Sequence, residues 1–444
     1  MTALDRDHRH PGYWDSPWPV ECGGNRRQKA ADGRLDALTG TATVTTRRDD
    51  KWHVMVVRRD PDQWYVGGTM PAFSGPPPYG WVERIDPVTL EVIAVSPELP
   101  CGDHVWCGSI LAHANGSVMS VNGSYVHRLD PGDLSIVAEC RLPADRAHNG
   151  MLALRDGTLV TKDLRLEGQG HTTITRLDPD SLELVGEPLM LPEGSMGRIA
   201  TDIDDDGTER VYVPGTDHVF RLEPTADRLV LGDWQPRYRE TSGRTGLAWD
   251  SCIAAGDVWL MDCGDIEPVR RIHTTVPNGR FDRPPGSALS WRQPTPWSGA
   301  QRLVRISLDD PGDVEWIEPL GTPGGGIIAP PVAVPELQRV IAWDSVNGGL
   351  AGIATNGDRM EVAWQLDARP TMQPVVFPDS GELVTNDFTD HGSDDLIVVD
   401  ISDGTLLDRV ATGSPIANGM FLSPGGDRDV FYCSTTALAR VTWS

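Results

Sequence analysis

A turn that keeps coming back limits what this chain can fold into. It reads ERIDPVTLEV from Glu83, HRLDPGDLSI from His127, TRLDPDSLEL from Thr175 and FRLEPTADRL from Phe220. Each copy is an alternating segment, an acidic residue followed by proline or a polar step, then a second apolar run. Proline or a small residue supplies the fixed φ of a tight turn. The period is mostly in the forties. The clearest unit spans 149–192, with short apolar segments at 151–154, 159–162, 173–177 and 182–189. The turn RDGT at 155–158 places Gly157 where φ > 0 is needed. Four antiparallel strands of this length cannot bury both faces of their sheet alone, so the unit needs neighbours made like itself.

A second mark repeats at the start of each unit, where a residue is followed by Gly or Pro. It occurs at Cys107-Gly108, Asn149-Gly150, Met196-Gly197, Thr245-Gly246, Pro330-Pro331, Gln373-Pro374 and Asn418-Gly419. Four strands at this period predict an all-β chain folded as a single β-propeller. The units fall at about 52–100, 101–143, 144–192, 193–236, 237–321, 322–368, 369–415 and 416–444. The last holds three strands, and 41–46 alternates as an outer strand would. Pairing the two closes the ring and removes a free edge. That gives eight four-stranded blades, with seven as the alternative if 41–100 is irregular. Residues 1–40 read as an extension packed on the ring, and 41–444 as the propeller domain. Two insertions, at 69–80 and 264–300, follow second strands.

Composition agrees with this reading and excludes some partners. The 47 glycines and 36 prolines suit a turn-rich fold, and the net charge of −25 argues against nucleic acid and anionic membranes. No apolar run reaches the length of a membrane-spanning helix. The start lacks the apolar core of a secretory signal. The seven cysteines are odd in number and irregularly spaced. Cys101 with Cys107 is one conceivable pair, and the plainer expectation is reduced thiols in a cytoplasmic protein.

Function is expected on the face carrying the insertions, because binding loops vary in length on a rigid scaffold. His104 and His148 precede first strands there, and His171, His218, His273 and His391 lie in second-to-third-strand loops. Asp163, Asp262, Asp344 and Asp387 end second strands. The plainer reading of these carboxylates is capping of the loop amides that follow. Asn149, Gln373, Asn418 and Arg244 start first strands and should face the channel. The insertion adds Arg270, Arg271, Arg280, Arg283 and Arg292 on an acidic chain, a set suited to carboxylate or phosphate.

The LDP-type turns resemble those of YVTN and quinoprotein-like repeats. NGMFLSPGGDRDVFYCS from Asn418 resembles the channel strand of SMP-30/gluconolactonase and strictosidine-synthase-like propellers. That resemblance implies a divalent metal (Ca, Mg, Mn or Zn) held by Asn418, with Asn149 in the weaker match HNGMLALRDGTLVTKD. The chain departs from the family by lacking a convincing EGP motif, by Cys433-Ser434 where Asp is common, and by its blade count. Separately, Asp202, Asp204 and Asp206 match the first half of a calcium loop, whose twelfth position is Val213 rather than Glu.

The leading functional reading is metal-assisted hydrolysis or lyase chemistry on a small, oxygen-rich, anionic molecule. His148 or His104 serves as general base with Asp163. Arg244, Gln373, Arg270, Arg271 and His391 contact the substrate. The alternatives are a non-catalytic binding or scaffold propeller and a cofactor-dependent oxidoreductase.

Overall fold

The computed structural model describes residues 10–70, 77–165, 170–204, 206–239, 248–263, 299–323, 325–326, 330–345, 347–356, 359–388, 394–414 and 419–444. Eight four-stranded antiparallel sheets form the blades of one propeller. Along the chain their innermost strands are Trp52–Asp60, Cys107–Ala112, His148–Ala153, Ala200–Ile203, Cys252–Ala254, Val332–Val334, Val375–Phe377 and Gly419–Gly426. Blade 8 is completed from the other end of the chain. Ala42–Arg48 pairs antiparallel with Ala437–Trp443, in register from Ala42 opposite Trp443 to Arg48 opposite Ala437. The expected closure and the count of eight therefore hold.

Burial explains why each sheet stands edge-on. Cys107–Ala112 is buried along its whole length, whereas the outer strand of the same blade, Ile136–Arg141, is mostly exposed. Apolar side chains on both faces of the inner strands fill the spaces between blades, as where Trp64 of blade 1 lies 4.8 Å from Phe431 of blade 8. The recurring turn has one construction. Asp86 Oδ1 accepts from the Val88 and Thr89 amides at 2.8 Å, and Asp130 and Asp178 repeat this with the amides two and three residues on. Leu90, Leu134 and Leu182 follow at φ of 62°, 61° and 59°. Each is buried, which holds a conformation that L-residues otherwise avoid. The innermost strand of blade 5 is Cys252–Ala254, and the Thr245-Gly246 mark lies outside the described residues.

Residues 10–36 form a strap that touches every blade. Backbone hydrogen bonds tie Trp14 and Pro19 to Ala112 (blade 2), and Trp18 to Arg58 (blade 1). Others tie Asn25 to Thr201 (blade 4), Arg26 to Ile253 (blade 5), Lys29 and Ala31 to Val376 (blade 7), and Arg34 to Arg428 (blade 8). The Tyr13 hydroxyl accepts from Ala153 N of blade 3, and Lys29 Nζ donates to Pro330 O ahead of blade 6. Several of these contacts fall at or next to the last residue of an innermost strand. The strap thus crosses the channel on the face of the first-to-second-strand turns, opposite the insertions.

Candidate functional site on the channel axis

Side chains from several blades meet the strap in one buried polar cluster, which only the ring axis allows. Asp250, just ahead of blade 5, is its hub. Its Oδ1 accepts from the Arg198 amide at 2.7 Å. Its Oδ2 takes Arg198 Nη1 and Arg27 Nη2, both at 3.2 Å, and Gln373 Nε2 at 3.4 Å. Glu21 of the strap pairs with Arg27 through Oε1 at 2.9 Å and with Arg198 Nε through Oε2 at 3.2 Å. The Cys22 thiol donates to Gln373 Oε1 at 2.8 Å, and burial pushes its pKa up to about 11, so it is an inert thiol. Asn149 joins from blade 3. Its Oδ1 accepts from Trp106 Nε1 at 3.2 Å, and its Nδ2 donates to Met196 O at 2.9 Å.

The strap places three of its four axial side chains with left-handed backbone, at Cys22, Arg27 and Lys29, with φ of 61°, 58° and 57°. Each such residue costs about 1–2 kcal/mol. The hydrogen bonds from Asn25, Arg26 and Lys29 to three blades, together with the buried ion pairs, hold the segment in this shape.

The guanidiniums of Arg27 and Arg198 balance the carboxylates of Glu21 and Asp250, and two lysines, Lys29 and Lys162, are buried beside them. Lys29 Nζ rests on the carbonyls of Pro330 and Pro331, at 3.1 and 3.4 Å, and burial lowers its pKa. Lys162 Nζ rests on the carbonyls of Ser195 and Asp163, at 3.1 and 3.3 Å, and burial lowers its pKa to about 7. Arg198 has a guanidinium carbon 5.0 Å from the Phe421 ring centroid and 5.7 Å from that of Trp106. Its side chain is 2% exposed and its Nη2 has no hydrogen-bond partner among the described residues. A buried guanidinium normally fills its fork, so an unmade bond here costs free energy that an arriving acceptor would recover.

The sequence-derived residues divide into three groups. Asn149 and Gln373 do belong to one network, linked through Trp106, Arg198 and Asp250. Arg244, Arg270, Arg271, His391 and Asn418 lie outside the described residues, as do His273, the other insertion arginines and most of the insertion at 264–300. The remainder sit elsewhere. His148 adjoins Asn149 on the strand His148–Ala153, but its ring is held by backbone carbonyls outside the axial cluster. Its Nδ1 is 3.0 Å from Arg146 O and 3.3 Å from Gly123 O, and burial lowers its pKa to about 4. His104 pairs with Asp145 at 3.5 Å. Asp163 accepts from Thr173 N at 2.5 Å and pairs with Arg165 at 2.6 Å. It caps its loop instead of meeting the axis. Asp344 and Asp387 do likewise, accepting from Gly326 N at 3.1 Å and Arg369 N at 2.8 Å, and Asp262 pairs with Arg239. His171 Nδ1 lies 2.8 Å from Leu191 O, and His218 Nδ1 lies 2.5 Å from Glu193.

A divalent cation does not fit the described residues. Both carboxylates on the axis are already engaged by two arginines, which would repel it. The Asn149 carbonyl is engaged by Trp106. The half-loop of three aspartates is also dispersed. Asp202 pairs with Arg26 at 2.5 Å, Asp204 with Arg210 at 3.0 Å, and Asp206 accepts from Thr208 N at 2.8 Å. Among the described residues, no three His, Cys, Asp or Glu side chains converge as ligands. All seven cysteines are free. Among the described residues, no helix is long and apolar enough to cross a membrane.

Sequence reasoning missed Arg198, Asp250 and the strap residues. Arg198 had a signal, since it directly follows the Met196-Gly197 mark. Asp250 had none, since no repeated mark falls on it.

No protein-family model matches the chain, and no curated protein sequence matches it. Solved structures do resemble it. Quinohemoprotein alcohol dehydrogenase from Comamonas testosteroni superposes with a TM-score of 0.66 at 11% identity, covering 99% of this chain and 82% of that one. The Dos1 propeller gives 0.57 at 8% identity, covering 90% and 94%. A europium-containing methanol dehydrogenase gives 0.54 at 11% identity, covering 97% and 91%. At these identities the likeness establishes the fold, and it agrees with the quinoprotein-like character of the repeats.

Proposed function

We propose that the channel, on the side facing the insertions, binds a small oxygen-rich anion and that the protein acts on it as a hydrolase or lyase. The observation that carries the reading is Arg198, a buried guanidinium whose Nη2 has no hydrogen-bond partner among the described residues, beside the rings of Phe421 and Trp106. Trp106 and Phe421 would cover the apolar part of the molecule. The chemistry is assigned without a metal step, because the axial donors are committed to arginines.

A second reading, a cofactor-dependent oxidoreductase, is favoured by the same flanking rings. A planar anionic cofactor could use them together with Arg198. The quinohemoprotein and europium-containing dehydrogenases whose fold this chain shares make that class worth testing.

The test is a thermal-shift panel of sulfate, phosphate, gluconate and citrate against neutral sugars, on the protein and on Arg198→Met. Stabilisation by anions that is lost in the variant supports the reading. Equal responses to neutral and anionic compounds would overturn it. Turnover of lactone or sugar-acid substrates separates an enzyme from a binding propeller, and visible absorbance of the purified protein would favour the second reading.

A further inference from the structure

We infer that an anion settling on Arg198 draws a proton onto Lys162, so that binding at this site is coupled to proton uptake. The inference rests on the anion-binding reading above and adds how that site is regulated.

The geometry comes first. Lys162 is fully buried in the second strand of blade 3, Leu159–Asp163. Its Nζ has two hydrogen-bond acceptors among the described residues, the carbonyls of Ser195 and Asp163. An ammonium carries three donors and a neutral amine carries two. The cage therefore matches the neutral amine, and a buried ammonium here would leave one donor unfilled. The neighbouring carboxylate offers no ion pair, since Asp163 pairs with Arg165 and accepts from Thr173 N.

The connection to the site is equally direct. Ser195, held by Lys162, and Met196, held by Asn149, lie three and two residues before Arg198. Lys162 thus braces the segment that presents the guanidinium. The charged and titratable groups acting on it are Asp163, Arg165, Arg198, Asp250 and His148. Asp163 and Asp250 favour its charge, whereas burial and the two arginines oppose it. Placing its pKa at about 7 agrees with that balance. A negative charge added at Arg198 favours the ammonium and raises the pKa.

By linkage, anion affinity falls as pH rises above about 7, at most about tenfold per unit for one proton. Uptake is small at pH 6, where the amine is already protonated, and larger at pH 8. Lys29, also buried in the cluster, is another group able to take up a proton there, and the variants below distinguish it.

The experiment is calorimetric titration with sulfate, and separately with gluconate, whose charges are constant from pH 6 to 9. Each is run in two cationic buffers of different ionisation enthalpy. The expected result is a buffer-dependent heat showing uptake in the wild type and none in Lys162→Met. Lys162→Arg, with a fixed charge, should bind at all these pH values without uptake, which guards against a folding defect in the Met variant. Binding without uptake, or uptake that persists in both variants, overturns the inference and leaves the anion reading standing. No binding of either anion to the wild type, or equal binding by Arg198→Met, overturns the anion reading and this inference with it.

Discussion

Arg198 and Asp250 hold each other twice, through the Arg198 amide on Oδ1 at 2.7 Å and the guanidinium Nη1 on Oδ2 at 3.2 Å. One residue precedes blade 4 and the other precedes blade 5, so the pair both joins two blades and aims a cation along the axis. Asp250 is also the carboxylate for Arg27 of the strap. Removing its charge leaves two buried guanidinium groups sharing Glu21 alone. Asp250→Asn should therefore destabilise the fold by about 3–5 kcal/mol, the usual cost of breaking a buried pair from one side. Urea denaturation of wild type and variant at pH 7 measures it. A loss below about 1 kcal/mol would show that the cluster tolerates an uncompensated charge.

Ring closure depends on one outer strand. Val44 stands opposite Val441 and Thr45 opposite Arg440. Prolines at both positions remove a ladder donor whichever amide faces the partner strand. The exposed edge at 437–443 then becomes a template for another chain. Light scattering after size exclusion should find a monodisperse wild type and oligomers of the double variant. A variant with an unchanged mass profile and melting temperature would deny 42–48 this role.

Asp394 gives the fold a pH signature. Burial raises its pKa to about 7 from 3.8, although Tyr432 donates to Oδ2 at 2.5 Å and Asn386 donates to Oδ1 at 2.9 Å. The folded chain holds this proton more tightly than the unfolded chain does. Its contribution to stability is complete below pH 3.8 and is lost as pH rises through 7. The stability of wild type relative to Asp394→Asn should thus decline between about pH 4 and 7 and level off above. Equal pH dependence of the two would contradict the assignment.

The recurring turn can be tested at one copy. Asp130→Ala removes hydrogen bonds to the Gly132 and Asp133 amides, at 2.7 and 3.2 Å, on the surface of blade 2. A loss of about 1 kcal/mol is expected. A neutral result would mean that Leu134, buried at positive φ, holds the turn by itself.

These turns also show why the fold was legible and the site less so. Asp86, Asp130 and Asp178 act on amides two and three residues away, so their role is written locally and repeats at the blade period. The outer strand 42–48 was legible for a related reason, since a three-stranded last unit asks for a partner. Asn149 and Gln373 were found because the same mark starts their blades. His148 stands beside Asn149 in sequence, but the carbonyls of Arg146 and Gly123 hold its ring, which the repeat pattern does not reveal. The acidic cap role at Asp163 outweighed the catalytic one because the Thr173 amide and Arg165 are both close in sequence. Arg27, Glu21 and Cys22 had no local pattern at all. Their partners, Asp250, Arg198 and Gln373, lie 177 to 351 residues away in sequence and meet them only once the ring has closed around the strap.

The central claim is that Arg198 waits for an oxyanion, and the most direct measurement is crystallographic. Crystals soaked in selenate, an isostere of sulfate, can be read by the anomalous signal of selenium. The account predicts a peak on the ring axis within hydrogen-bond reach of Arg198 Nη2, absent from crystals of Arg198→Met. Selenate confined to the outer surface, or a protein side chain found already filling Nη2, would contradict it.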